Sequence, residues 1–183
     1  NGIAQKKTTY KTEGDYLIVQ LNKYKFNNKT EKSEKIPDKD INMKISDTIY
    51  IKNDADEDIK FNLIGTINHH GKNLNYGHYT SYIKKHIDGD NIWYLCDDKS
   101  TEIEHSFKTA MKKNKPYIMF YERDDKKIKD NSSRNNKPLG IINHGNTCFL
   151  NAVLQNLFNI DEFIELAEDL MGNTKGIHKG GGS

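Results

Sequence analysis

The sequence predicts an α+β fold in which antiparallel strands come first and helices last. Three observations lead there. Short apolar or alternating runs separated by turn signals fill the first two thirds of the 183 residues. Asp88-Gly89-Asp90, between two such runs, is a hairpin signal. After Pro138 the apolar spacing changes to the helical i, i+4, i+7 pattern.

Taken in order, residues 1–15 are polar and glycine-punctuated, with a strand expected around Lys7 to Lys11. Tyr16 to Leu21 is a buried-strand run that continues with alternation through Phe26 and closes at Asn27-Asn28. Ile41 to Ile45 alternates apolar and polar as a half-exposed strand does. Asp54 to Asp58 is a solvated acidic turn. Phe61 to His70 is a strand running into Gly71, and His78 to Ile83 pairs across the hairpin with Ile92 to Cys96. His105 to Asn114 is a short helix ended by Pro116, and Tyr117 to Tyr121 a strand. Two amphipathic helices follow. The first begins at Cys148 with the stripe Leu150, Leu154, Leu157, Phe158, while Asn151, Gln155 and Asn159 share another face. The second runs from Asp161 to Met171 and is stopped by Gly172. The expected organisation is a β-rich lobe at 1–122, a polar linker at 123–138, a helical lobe at 139–172 and a flexible glycine-rich tail at 173–183.

A net charge of +2 with acids and bases interspersed gives no reason to propose nucleic acid or a membrane surface as partner. Two cysteines, Cys96 and Cys148, without a C-x-x-C motif or an apolar targeting segment, point to a reducing compartment. No disulfide framework, metal site or cofactor motif is present. His69, His70 and His86 lack the accompanying ligands that a zinc site needs.

The chemistry gathers at two places. Cys148 stands at the first turn of a helix, where unpaired backbone N–H groups and the helix dipole favour a thiolate. On position alone, a cysteine in an amphipathic helix is more often a small buried hydrophobe. Asn143 lies in the loop before it and can offer an amide to a developing oxyanion, with the N–H of Cys148 as second donor. In the hairpin, antiparallel pairing brings His78 to Asp97 although 19 positions separate them. The carboxylate is expected to accept from Nδ1–H, leaving Nε2 for the thiol.

Gly140 to Gln155, with its Asn-x-Gly-Asn-Thr-Cys-Phe-Leu-Asn-x-x-Leu-Gln core, resembles the cysteine box of the ubiquitin-specific proteases. Asn68-His69-His70-Gly71, Tyr76 to Tyr82, Trp93-Tyr94 and Asp97-Asp98 resemble their histidine box. Leu17 to Phe26 and Tyr117 to Glu122 are similar to flanking strands of the same family. The resemblance implies a papain-like cysteine peptidase fold, an antiparallel β-sheet or barrel lobe packed against a small helical lobe carrying the nucleophile. It implies Cys148 as nucleophile, His78 as base and then acid, Asp97 as the residue orienting the imidazole, Asn143 as oxyanion donor and Asp98 as accessory group. It also implies that Gly77, Tyr79 and Trp93 line or pack behind the cleft for the substrate tail. A large aromatic such as Trp93 in a central hairpin is otherwise more often core. Ubiquitin or ubiquitinated proteins would be the partners, in the cytoplasm or nucleus, with no metal and no cofactor. Two departures stand out: the histidine box precedes Cys148 by 70 positions, reversing the family order, and the fingers and thumb between the boxes are largely missing. Recurrence of triads in several chain orders makes the reversal compatible with activity.

Overall fold

The longest strand, β5 (Asp58–His70), organises the sheet. In the computed structural model, which describes residues 9–41, 43–71, 76–113, 115–125 and 137–174, β5 is flanked by two antiparallel partners. On one side lies β9 (Ile118–Arg123), then β1 (Tyr16–Gln20). On the other, β6 (His78–Ile87), β7 (Asp90–Asp97) and β8 (Ser100–Ile103) follow in order. A further strand, β4 (Thr48–Lys52), pairs with the first half of β5. The β6–β7 turn takes positive φ at Asp88 (52°) and Gly89 (90°), the demand that an Asp-Gly pair meets cheaply.

Side-chain alternation divides the core between the two faces of the sheet. Phe61, Leu63, Tyr82, Met119 and Tyr121 face α1 (Phe107–Lys113), whose Phe107 and Met111 complete that layer. Ile64, Ile67 and Phe120 face the opposite way, onto Ala152 and Val153 of α2 (Cys148–Leu157). The α+β class and the helical unit carrying the cysteine are as expected from sequence.

Packing of α2 reverses the simplest reading of an amphipathic helix. Its buried residues are Asn151, Ala152, Gln155 and Asn156, while Leu150 and Phe158 of the apolar stripe remain 43% and 45% exposed. The amides dock because each finds a backbone carbonyl. Asn156 donates to Thr66 O of β5 (3.3 Å) and Ala152 O (2.9 Å); Asn159, just beyond the helix, donates to Ile64 O and Lys84 O, both at 3.2 Å. Gln155 donates to Leu139 O at 2.6 Å. A register shift between Leu63 and Gly65 bulges β5 where Asn159 captures the Ile64 carbonyl. Gly65 is required beside it, because a Cβ there would lie 2.0 Å from Asn156 Oδ1.

Several local expectations are corrected. The run through Phe26 breaks after Gln20: β2 (Tyr24–Asn27) instead pairs with β3 (Lys32–Lys35) as a separate ribbon. The break coincides with burial of Lys23, whose ammonium pairs with Asp38 (2.9 Å) and donates to Lys115 O. Ile41 and residues 43–45 form no strand: Met43 N bonds Ile41 O, and the chain reaches β5 only at β4, which the sequence reading missed. Gly172 does not stop the last helix, α3 (Asp161–Thr174); an interior glycine costs a helix only about 1 kcal/mol relative to alanine. Of the strand expected at Lys7 to Lys11, residues 7 and 8 lie outside the described residues, Thr9 and Tyr10 are not in a strand, and Lys11 forms one isolated bridge, to Lys52; most of the linker expected at 123–138 and the tail from residue 175 also lie outside the described residues.

Gly65→Ala is expected to destabilise the fold by about 1–3 kcal/mol through overpacking against Asn156. Urea denaturation checks this, and adding Asn156→Ala should recover part of the loss, a non-additivity that reports their contact.

Candidate active site

Antiparallel pairing of β6 with β7 places His78, at the start of one strand, beside Asp97, at the end of the other. Their side chains are 41% and 47% exposed, and His78 Nε2 lies 2.6 Å from Asp97 Oδ1. The expectation that Nδ1 would meet the carboxylate is therefore corrected: Nε2 is engaged, and Nδ1 is the nitrogen left for a proton transfer. Sequence spacing cannot distinguish the two, because ring orientation depends on a side-chain torsion.

Asp98 follows with φ at 48°, turning its carboxylate away from the strand. Oδ2 accepts from Asn143 Nδ2 (2.9 Å) and Oδ1 from Asn151 Nδ2 (2.8 Å), while Ile141 N donates to Asp98 O (2.8 Å). Asn143 in turn accepts from the N–H (3.3 Å) and hydroxyl (3.1 Å) of Thr147. One carboxylate thus ties together the cysteine loop, the first turn of α2 and the β7–β8 turn. One N–H of Asn143 is spent on Asp98, so the expected oxyanion donor also anchors the loop. Ligand-type atoms of His78, Asp97 and Asp98 fall within 4.8 Å of one another, and the hydrogen bonds at His78 and Asp98 tie these groups to one another and to the two asparagines.

Cys148, half-buried at the start of α2, opens on a cleft of about 570 Å³ walled by Ile67, His69, Gly77, Tyr79, Tyr117 and Phe149 among others. Gly77 and Tyr79, which bracket His78 in sequence, line this cleft. Trp93 does not: it stacks on Phe107 at 3.7 Å on the α1 face of the sheet, with the Lys84 ammonium 5.5 Å over its ring. Among the described residues no hydrogen bond joins Cys148 to His78. Burial, and secondarily Tyr117 and Cys148, raise the Tyr79 hydroxyl above its usual pKa. The other cysteine, Cys96, is 3% exposed, and burial pushes its thiol up to about 12.

Sequence reasoning missed the contributions of His69, Tyr117 and Asn151. His69 and Asn151 stand inside the quoted boxes, but nothing in their spacing distinguishes them from packing residues. Cys148 at a helix start thus shares a cleft with Gly77 and Tyr79, the neighbours of a histidine hydrogen-bonded to a carboxylate, and these are the side-chain types that thiol hydrolysis draws on.

Comparison with known proteins agrees. The family model for ubiquitin carboxyl-terminal hydrolase matches residues 5–121 and 139–178, and the chain belongs to that family. It is 30% identical over 103 residues to ubiquitin carboxyl-terminal hydrolase 4 of Arabidopsis thaliana, covering 55% of this chain and 26% of that protein. It is 38% identical over 79 residues to ubiquitin carboxyl-terminal hydrolase 11 of Saccharomyces cerevisiae, covering 37% and 11%. The chain thus spans about a quarter or less of these relatives. Among solved structures, one of the yeast SAGA DUB module matches with a TM-score of 0.48 and 22% identity, over 60% of this chain and 23% of that one. No helix among the described residues is long and apolar enough to cross a membrane.

Asp98→Ala is expected to release Asn143 and Asn151 together and lower stability by about 1–3 kcal/mol. Hydrogen exchange should rise across residues 141–151, while iodoacetamide at neutral pH still modifies Cys148 and spares Cys96.

Proposed function

We propose that this chain is the catalytic core of a thiol-dependent deubiquitinase that hydrolyses the bond after the C-terminal Gly-Gly of ubiquitin. The observation that carries the reading is the shared cleft, with Cys148 on one wall and Gly77 and Tyr79, the neighbours of His78, on another. Cys148 Sγ attacks the scissile carbonyl, and its proton passes to the His78 nitrogen that Asp97 leaves free. The oxyanion is held by backbone N–H at the start of α2 and by the remaining N–H of Asn143. The imidazolium then protonates the departing amine, leaving an acyl-thioester on Cys148. Water, deprotonated by the same imidazole, hydrolyses the thioester and frees the ubiquitin carboxylate and the thiol. Asp97 orients the ring, and Asp98 holds the nucleophile's loop to the strand end that carries the base. A nucleophilic thiol of this kind suits a reducing, intracellular compartment.

With the cysteine segment following the histidine segment, the site forms by tertiary packing of α2 rather than by chain order. Two observations favour a second reading, a ubiquitin-binding module without turnover: Asn143 is held by Asp98, and thiol and imidazole are not hydrogen-bonded. Catalytic hydrogen bonds often tighten only when substrate binds, and for that reason the enzymatic reading is preferred.

An electrophilic ubiquitin probe is expected to label Cys148 and not Cys96, with His78→Ala slowing labelling by about 10³-fold or more. Binding of ubiquitin that survives Cys148→Ala, with no labelling of the wild-type chain, selects the module instead.

A further inference from the structure

Two surface features far from the Cys148 cleft complement each other. The first is α3, whose apolar positions Phe163, Leu166, Ala167, Leu170 and Met171 recur at helical spacing. Leu166 and Leu170 are nevertheless 57% and 60% exposed. Phe158, 45% exposed, meets Phe163 edge-on at 5.6 Å and extends the stripe toward α2. Every charged residue of the helix is acidic: Asp161 to Thr174 contains no lysine or arginine, and Glu162, Glu165, Glu168 and Asp169 stand beside or behind the stripe. Helices of this kind draw most of their stability from packing the apolar face, and such a face left exposed marks a docking surface.

The second feature is a groove of about 730 Å³ on the α1 side of the sheet. Its floor is Phe107 and Met111, and one wall is the stretch from residue 41 to residue 45, where Met43 is 36% exposed. Four lysines line it, Lys44, Lys108, Lys112 and Lys115, against one carboxylate, Asp47, with which Lys108 pairs at 3.6 Å. The groove is apolar within and basic around, so it matches α3 in hydrophobicity and opposes it in charge.

These surfaces cannot meet within one chain. α3 sets out from the α2 side of the sheet, where Ile160 and Tyr16 pack and the Tyr16 hydroxyl donates to Glu162. The groove opens on the opposite side, built on α1. We propose that α3 of a second copy of this chain fills the groove, with Leu166 and Leu170 seated over Phe107 and Met111 and the acidic flanks of the helix facing Lys44 and Lys112. Pairing α3 with α3 instead sets carboxylates against carboxylates, a like-charge arrangement that complementary interfaces avoid. Each copy offers one helix and one groove, so the contact is heterologous and copies add head to tail. Nothing in this contact draws on the proposed hydrolase activity, and its failure leaves that reading intact.

The test is sedimentation velocity on the whole chain between about 5 and 500 µM, the range in which a contact of modest area registers. The expected result is a weight-average mass that rises with concentration and falls back toward the monomer as salt is raised to about 0.5 M, where the screening length drops to about 4 Å. Leu166→Ser with Leu170→Ser, and separately Lys44→Glu with Lys112→Glu, should each raise the dissociation constant about tenfold or more. All four positions are exposed, and circular dichroism checks that each altered chain is folded. Mixing the two altered chains should restore association, but only as one-to-one pairs, because the intact helix of one fits the intact groove of the other. A wild-type chain that stays monomeric at the top of the range overturns the inference. Association that survives the lysine changes means that α3 pairs with α3, and association that survives the leucine changes means that another segment fills the groove. Either result overturns it, as does a mixture that fails to pair.

Discussion

Amide side chains of Asn156 and Asn159 reach the backbone carbonyls of Thr66, Ile64 and Lys84, and this clasp determines where Cys148 can be. Apolar packing between α2 and the sheet is modest, essentially Ala152 and Val153 against Ile64, Ile67 and Phe120. A greasy contact of that size permits sliding; hydrogen bonds to fixed carbonyls do not. Each is worth only about 0.5–1.5 kcal/mol net, but breaking one strands a buried donor, so the register of helix on sheet is set sharply. The β5 bulge and Gly65 belong to the same arrangement: one presents a carbonyl, the other makes room for the amide that must pass.

The second tie is electrostatic and lies at the other end of the helix. Asp98 grips Asn143 and Asn151 while its neighbour Asp97 grips His78. Two consecutive carboxylates therefore serve both halves of the site, one holding the imidazole and the other the loop and helix that carry the thiol. Because these bonds join side chains across the fold, the cysteine segment can follow the histidine segment and still be delivered to the same cleft. Asn143 shows what this arrangement asks of a residue: it anchors the loop through one N–H, and the proposed chemistry draws on the other.

Much of this was legible beforehand. The hairpin of β6 and β7 follows from Asp88-Gly89 and two alternating runs, and it brings His78 to Asp97 with no further information. The start of α2 at Cys148 follows from apolar periodicity. What the periodicity hides is orientation: a polar face outwardly suited to solvent is buried, because Asn151, Gln155 and Asn156 find hydrogen-bond acceptors that only the tertiary fold supplies. The choice of Nε2 for Asp97, the withdrawal of Trp93 to the α1 face and the pairing of Tyr24 with His69 are likewise decided by contacts far apart in sequence. Burial of Lys23 beside Asp38 shows why a continuous strand from Tyr16 to Phe26 fails, since its amine leaves the ladder's path for a partner 15 positions on.

The central claim is that α2 docks on the sheet of the same fold so that Cys148 adjoins the strand end carrying His78. A nitroxide attached to Cys148, with buried Cys96 left unmodified, reads that placement directly through paramagnetic broadening of amide resonances. Broadening is predicted to erase Gly77 and Tyr79 while leaving Asp88 and Gly89 sharp, since those lie about 30 Å further along β6. Equal sharpness of Gly77 and Gly89 would contradict the account, because it would mean that the thiol does not reside at that end of the hairpin.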